Sequence, residues 1–449
     1  MVRARRAVLC WAALAVLAVS AAGCSEPAEE EGRPDGEAAT QVSAPDCAGD
    51  DLLECARRSS LEPLVPAEPS AAAGEPLVLG MMNIESSPAG SYAELSAAVQ
   101  AAVEFVNTEL GGVAGRPVQV DVCNTGFSAE GSAACAQRFL EQGVPAVVGG
   151  IDVFGDGIRL LAEAGVPYAG GIPVSEAAVT AGSSFQWSGG TWGATVAFAD
   201  HAAAELGAER VSIVYGEFGP ISQSAEYGAT LLRSRDVEVQ LVPYPVTAAD
   251  LTPALQAAVS SRPDAVILLG ADTGCSAAFE AIEALRIEVP TFHTGACATP
   301  SILDDVAPEV LAAAVFNVEG PISLDEPDPD TELYGQVVER YGDGLDPVGA
   351  GTVSFRSFMN LWAVLHELGD DELTSSAILE ELRAARNRPS FMGHPYTCDG
   401  EQFEGLPAMC SPQQILARRD GAELVQLGSW IDVGTLYADA LGAEPPSGR

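Results

Sequence analysis

The chain has 449 residues, with 22 basic and 63 acidic side chains and a formal net charge of −41. That charge disfavours nucleic acid as a partner and makes adsorption to anionic lipid headgroups unfavourable. Every basic residue is arginine, and the lack of lysine removes Schiff-base chemistry, pyridoxal phosphate attachment and the P-loop lysine together. His201, His293, His366 and His394 are too scattered for metal-ligand spacing, and neither a Gly-x-Ser-x-Gly elbow nor a Gly-x-Gly-x-x-Gly fingerprint occurs. The chemistry left open is that of a protein without metal or cofactor, and not an enzyme of the common nucleophilic, zinc or nucleotide-dependent classes; a carboxylate-based hydrolase is not removed this way.

In chain order, Arg3, Arg5 and Arg6 precede an uncharged, mostly apolar run over 7–22. At about 16 residues the run is slightly short for a spanning helix and reads as an export signal. Its end, Ala21-Ala22-Gly23-Cys24, resembles a bacterial lipobox, with Ala21 where leucine is usual. The resemblance implies removal of a signal peptide over 1–23, diacylation of Cys24, and a mature chain on the outer face of the cell membrane. An ordinary cleaved signal or an uncleaved anchor is the alternative, and each places the remainder outside the cytoplasm. Because the charge opposes lipid contact, attachment must come from the acyl chains, and two chains suffice.

Residues 24–75 are acidic and rich in Pro, Ala, Gly and Ser, the composition of a disordered tether. With Cys10 in the signal and Cys24 lipidated, eight cysteines remain, in four close pairs. Local disulfides are expected between Cys47 and Cys55, Cys123 and Cys135, Cys275 and Cys297, and Cys398 and Cys410.

From 77 onward short apolar strands alternate with amphipathic helices. Strands are expected at 77–80, 118–120, 146–150, 166–169, 211–215, 237–242, 265–269, 291–294 and 315–318. Apolar positions Ala98, Val99, Ala102, Val103 and Val106 recur at helical spacing and predict a helix over 92–109; a second is expected over 132–142. This alternation is that of an α/β protein with parallel sheets covered by helices, too long for one core. Ligands in such sheets bind beyond the carboxyl ends of the strands. The acidic run 325–330 lacks the EF-hand pattern and reads as a solvated surface loop.

The stretch 105–117, Phe-Val-Asn-Thr-Glu-Leu-Gly-Gly-Val-Ala-Gly-Arg-Pro, closely resembles the type I periplasmic-binding-protein family in its leucine/isoleucine/valine-binding branch. Stretches at 144–150, 164–167, 211–219 and 354–368 agree in the expected order. The resemblance implies two Rossmann-like lobes with parallel central sheets, joined by a three-crossover hinge: lobe one over 76–190 and 321–394, lobe two over 191–320 and 395–441, and a tail over 442–449. It also implies a monomeric substrate-binding lipoprotein of an ABC importer. That protein would capture a small polar solute, amino-acid-like or a related amide or amine, by hinge closure and hand it to the permease transmembrane subunits. A ligand-sensing receptor subunit is the alternative, and a surface hydrolase using Glu217 and Asp272 a weaker one.

On that template lobe one lines the cleft with Ser86 and Ser87, with Asp152 and Phe154, and with Ser175. Ser86 and Ser87 read equally well as turn residues, and Ser175 as a helix N-cap. Asp152 stands where amino-acid binders commonly carry a small or hydroxyl residue, which favours a cationic or amine-bearing ligand; a solvated loop acid is the other reading. Lobe two brings Phe218, where the family commonly has tyrosine, and Asp272, a candidate partner for an ammonium. Trp187 and Trp192 are read as core or hinge packing rather than ligand contacts.

Overall fold

The computed structural model describes residues 51–446 apart from 88–89, 247, 271, 319–327, 370–372 and 422. The export signal, Cys24 and Cys47 therefore lie outside the described residues. No described helix is long and apolar enough to cross a membrane.

Strands β1 (Leu77–Asn83), β2 (Val118–Asn124), β3 (Val147–Gly149), β4 (Tyr168–Ala169) and β5 (Ser184–Phe185) form one parallel sheet in the order β2-β1-β3-β4-β5. The chain then crosses to β6 (Arg210–Gly216), β7 (Glu238–Tyr244), β8 (Ala265–Leu269), β9 (Thr291–His293) and β10 (Ala314–Val318), all mutually parallel. It returns through helices Pro329–Tyr341, Gly351–Leu368 and Ser375–Ala384, whose Leu333, Phe355 and Ile378 share a core with Leu79 of β1. A small hairpin of β11 (Arg388–Ser390) and β12 (Gly393–Tyr396) follows. A last crossing delivers β13 (Ile415–Asp420) and β14 (Glu423–Gln426), which complete the second sheet in the order β14-β13-β10-β9-β8-β6-β7. The result is the expected pair of α/β lobes, with three passages between them.

The nine expected strands all form. Those at the centres of the sheets are buried on both faces, as β8 is at every residue, which is why they read as unbroken apolar runs. Sequence reading missed the β13–β14 hairpin, which pairs antiparallel with β10 and carries exposed Arg418. Helix Ala93–Thr108 buries the five apolar positions that predicted it.

The turn after that helix explains its own sequence. Gly111 and Gly112 have φ of 80° and 69°, and a Cβ on Gly112 would lie 2.0 Å from the Arg116 carbonyl oxygen, so only glycine fits. Asn107 accepts from the Val118 amide at 2.7 Å and donates to its carbonyl at 2.8 Å, clamping the helix end to the first residue of β2.

Two expectations need correction. The tether reading fails from Asp51 onward. Asp51 caps a short helix, Leu52–Ala56, whose Leu52 and Leu53 join Leu61 in the core of lobe one beside Leu333 and Val337. Further on, the amides of Ser70, Ala72 and Ala73 donate to the carbonyls of Glu109, Asn107 and Gly115. Composition hid this because a few leucines among Pro, Ala and Glu are enough to dock a segment on an existing core. Of the run 325–330 only 328–330 is described; Asp328 and Pro329 are exposed as expected, and the solvated-loop reading fails at Asp330. Asp328 caps helix Pro329–Tyr341 by accepting from the Thr331 amide at 2.9 Å. Asp330 is only 8% exposed and accepts from the Ser60 amide (2.7 Å), the Ser60 hydroxyl (2.8 Å) and the Met392 amide (2.8 Å).

Disulfides join Cys123 to Cys135, Cys275 to Cys297, and Cys398 to Cys410, as the spacing predicts. Cys55 is disulfide-bonded as well.

Candidate functional site

The loops leaving the carboxyl ends of β3 and β6 meet through Phe154 and Phe218, and such strand-end loops make the candidate cleft. In lobe one, Asn83 ends β1 fully buried and holds two of these loops together. Its Nδ2 donates to Glu85 Oε1 at 2.6 Å and to the Tyr92 carbonyl at 2.8 Å, and its Oδ1 accepts from the Ile151 amide at 3.1 Å. Glu85 also accepts from the Ser96 hydroxyl at 2.9 Å, so its carboxylate is spent on the loop's own shape. Close packing between β3 and β4 requires Gly149, where a Cβ would lie 1.9 Å from the Gly170 carbonyl oxygen.

Ser86 is exposed on the rim and accepts from Asn124 Nδ2 at 3.3 Å through its hydroxyl. Ser87 donates its hydroxyl to the Gly90 carbonyl at 2.9 Å, a turn contact. Ser175 caps helix Glu176–Thr180 by accepting from the Ala178 amide at 3.4 Å and is 1% exposed.

Asp152 points away from the cleft. It is 2% exposed, and its Oδ2 accepts at 2.7 Å from the hydroxyl of Ser132, which in turn accepts from the Gly157 amide at 2.7 Å. Burial holds its pKa above the ordinary range, outweighing the Ser132 hydrogen bond and the nearby Gly155 and Phe154 amides, and Oδ1 has no partner at hydrogen-bond geometry. A carboxylate placed there does not present a charge to a solute, so Asp152 lends no support to the expected cationic ligand.

Phe154, two residues on, does reach the cleft. Its ring meets Phe218 of lobe two edge-on with centroids 5.7 Å apart, and Phe127 also meets it edge-on at 5.7 Å. The three rings are only partly buried and span the gap between the sheets. Phe218 is placed by the tight exit from β6, where its amide donates to the Gly216 carbonyl at 2.8 Å before helix Gly219–Ser234 begins at Gly219-Pro220. Phe127 was not anticipated; it sits at φ 56°, a backbone state that no residue-type pattern announces for phenylalanine.

Glu217 is exposed on the same loop. Asp272 opens helix Asp272–Leu285 at the end of β8, and its side chain is not among those described. Beneath that loop lies Tyr244, also unanticipated. Its hydroxyl donates to the Leu269 carbonyl at 3.3 Å, and burial pushes its pKa up to about 12. The Cys275–Cys297 bridge ties the helix after β8 to the turn after β9, where the Gly295 amide donates to Asn317 Oδ1 at 2.8 Å.

At the crossovers, the Gln186 amide donates to the Ala408 carbonyl and the Cys410 amide to the Gln186 carbonyl, both at 2.8 Å, so the first and third passages run side by side. Trp187 belongs to the core of lobe one and Trp192 to that of lobe two.

A profile of the periplasmic-binding-protein family matches residues 76–405. The chain belongs to the periplasmic-binding-protein family. Solved structures with the same fold include a leucine-binding protein from Thermotoga maritima (16% identity, 78% of this chain and 98% of that one, TM-score 0.64). Also similar are a possible leucine/isoleucine/valine-binding protein from Rhodopirellula baltica (16%, 81% and 98%, TM-score 0.68) and a fatty acid ABC transporter substrate-binding protein from Thermomonospora curvata (16%, 84% and 96%, TM-score 0.66). No curated protein sequence matches. Membership of the periplasmic-binding-protein family gives the chain a solute-binding role and an extracytoplasmic location, with a small-molecule ligand and an ABC permease as the implied partners.

Proposed function

We propose that the protein is the solute-binding lipoprotein of an ABC importer, held on the outer face of the membrane through Cys24, acting as a monomer and closing its lobes on an amino-acid-like solute with an apolar portion. The observation that carries this reading is the Phe154–Phe218 contact at 5.7 Å, one ring from each lobe on the loops that leave β3 and β6. A solute bearing an apolar group would slot against Phe127, Phe154 and Phe218, while Ser86 and Ser87 supply polar contacts at the loop ends. Asp152 and Ser175 support the loops from beneath.

Closure needs a ligand that touches both lobes, because only differential affinity for the closed form can shift the equilibrium. Native mass spectrometry of the full chain, purified without refolding, should carry over such a solute. Adding that solute back to stripped protein should raise the melting temperature and lower the radius of gyration in solution scattering. A solute that binds equally well to the parent and to Phe154→Ala and Phe218→Ala proteins, with no compaction, would refute the proposal.

A further inference from the structure

We propose that a cavity beside the crossovers, apart from the cleft, binds a compact oxyanion of the carboxylate or phosphate type. Its volume is about 300 Å³, and its walls include Phe185, Arg383, Arg386, Asp399 and Pro407. In a chain this acidic, arginines are mostly matched by carboxylates: Arg235 meets Asp200 at 2.6 Å and Arg388 meets Glu381 at 2.6 Å. Arg383 and Arg386, both exposed, have no carboxylate at ion-pair distance among the described residues, and both line this half-open cavity.

Each is anchored through one nitrogen only. Arg383 Nη2 donates to the Gly182 carbonyl at 2.8 Å, and Arg386 Nη1 donates to the carbonyls of Arg383 (2.7 Å) and Ala385 (2.8 Å). A guanidinium has five donors, so both side chains keep most of theirs for a ligand. The cavity's acid is already engaged: Asp399 Oδ1 accepts from the Glu401 amide at 2.9 Å and from Gln402 Nε2 at 3.1 Å. Two cations against one engaged carboxylate leave the pocket positive in a chain of net charge −41. Planar, forked donors match a carboxylate or phosphate edge, and a volume at the small end for ligand sites selects a compact molecule.

The position gives such binding a consequence. The walls come from 181–185, which lead into the first passage, from 383–386, and from 398–407 within the third, so an anion here bridges the segments on which the lobes turn.

The test is calorimetry on the full chain with inorganic phosphate and, separately, propionate, at constant ionic strength. Saturable binding is expected for at least one of them, phosphate alone marking an inorganic anion and propionate a carboxylate. Binding should fall at least about tenfold in an Arg383→Gln/Arg386→Gln protein, since hydrogen bonds to charged groups are lost, and stay unchanged in Phe218→Ala. Hydrogen exchange on the parent reads the same site without substitution, with slowing at 181–185 and 398–400 on adding the anion. No saturable binding of either probe, equal affinity in the double variant, or slowing confined to other segments would overturn the proposal.

Discussion

Replacing Asp330 with alanine should free the amino-terminal segment from lobe one. The carboxylate accepts three hydrogen bonds, two from Ser60 and one from the buried Met392 amide, and so joins the segment at 60 to the β11–β12 turn. An orphaned buried amide costs about 1 to 3 kcal/mol, and a half-exposed pair at Ser60 about 1 kcal/mol more. Relief of the buried carboxylate's desolvation returns part of this, leaving about 2 kcal/mol, or roughly a 30-fold rise in the open population. Arginine-specific proteolysis after Arg57 and Arg58 should accelerate by that factor when opening is fast relative to cleavage. The pH dependence has a defined sign. Burial raises the Asp330 pKa above 3.8, so the folded state holds its proton more tightly than the unfolded chain. Its contribution is therefore full below 3.8 and declines as pH rises through the folded value. The advantage of the parent over Asp330→Ala should accordingly be larger at pH 4 than at pH 7. Cleavage within threefold of the parent, or an advantage that grows toward pH 7, would refute this account of the segment.

Asp152→Asn should be neutral or stabilising at pH 7 and should flatten the stability profile above pH 3.8, the same sign argument applied to a second buried carboxylate, read by thermal melts across pH. Gly112→Ala should cost about 3 kcal/mol or more in urea unfolding, because both its φ of 69° and the 2.0 Å approach of the Arg116 carbonyl oppose a Cβ. Serine at Cys398 and Cys410 should cost about 3 kcal/mol, the closure entropy of a loop with sequence separation 12, measured as a shift in unfolding midpoint. Phe218→Ala should weaken solute binding by roughly two- to tenfold, the worth of one aromatic contact, measured by calorimetry once the carried-over solute is known.

The lobes were legible because strands such as β8 are buried on both faces and say so in every residue. The β13–β14 hairpin was not, since exposed Arg418 and half-buried Arg419 interrupt the apolar signal. Phe218 could be placed from its position directly after a strand. Asn83 could not, because its work is done on Ile151, 68 positions away. Asp152 shows the limit most directly: its loop was located correctly, yet which way a carboxylate turns depends on Ser132 from another helix.

The paired first and third passages act mechanically as one leaf rather than two strings. Backbone hydrogen bonds between Gln186 and the 408–410 segment resist sliding of one strand along the other, and the anchoring of Phe403 and Met409 in the core of lobe two, with Cys398 and Cys410 in that of lobe one, fixes both margins of the leaf. A leaf so rooted flexes across its plane and is stiff within it. On the proposed closing motion, such a leaf would favour a swing like that of a book's covers, which keeps Phe154 and Phe218 in their edge-on register, over a shear of one half past the other.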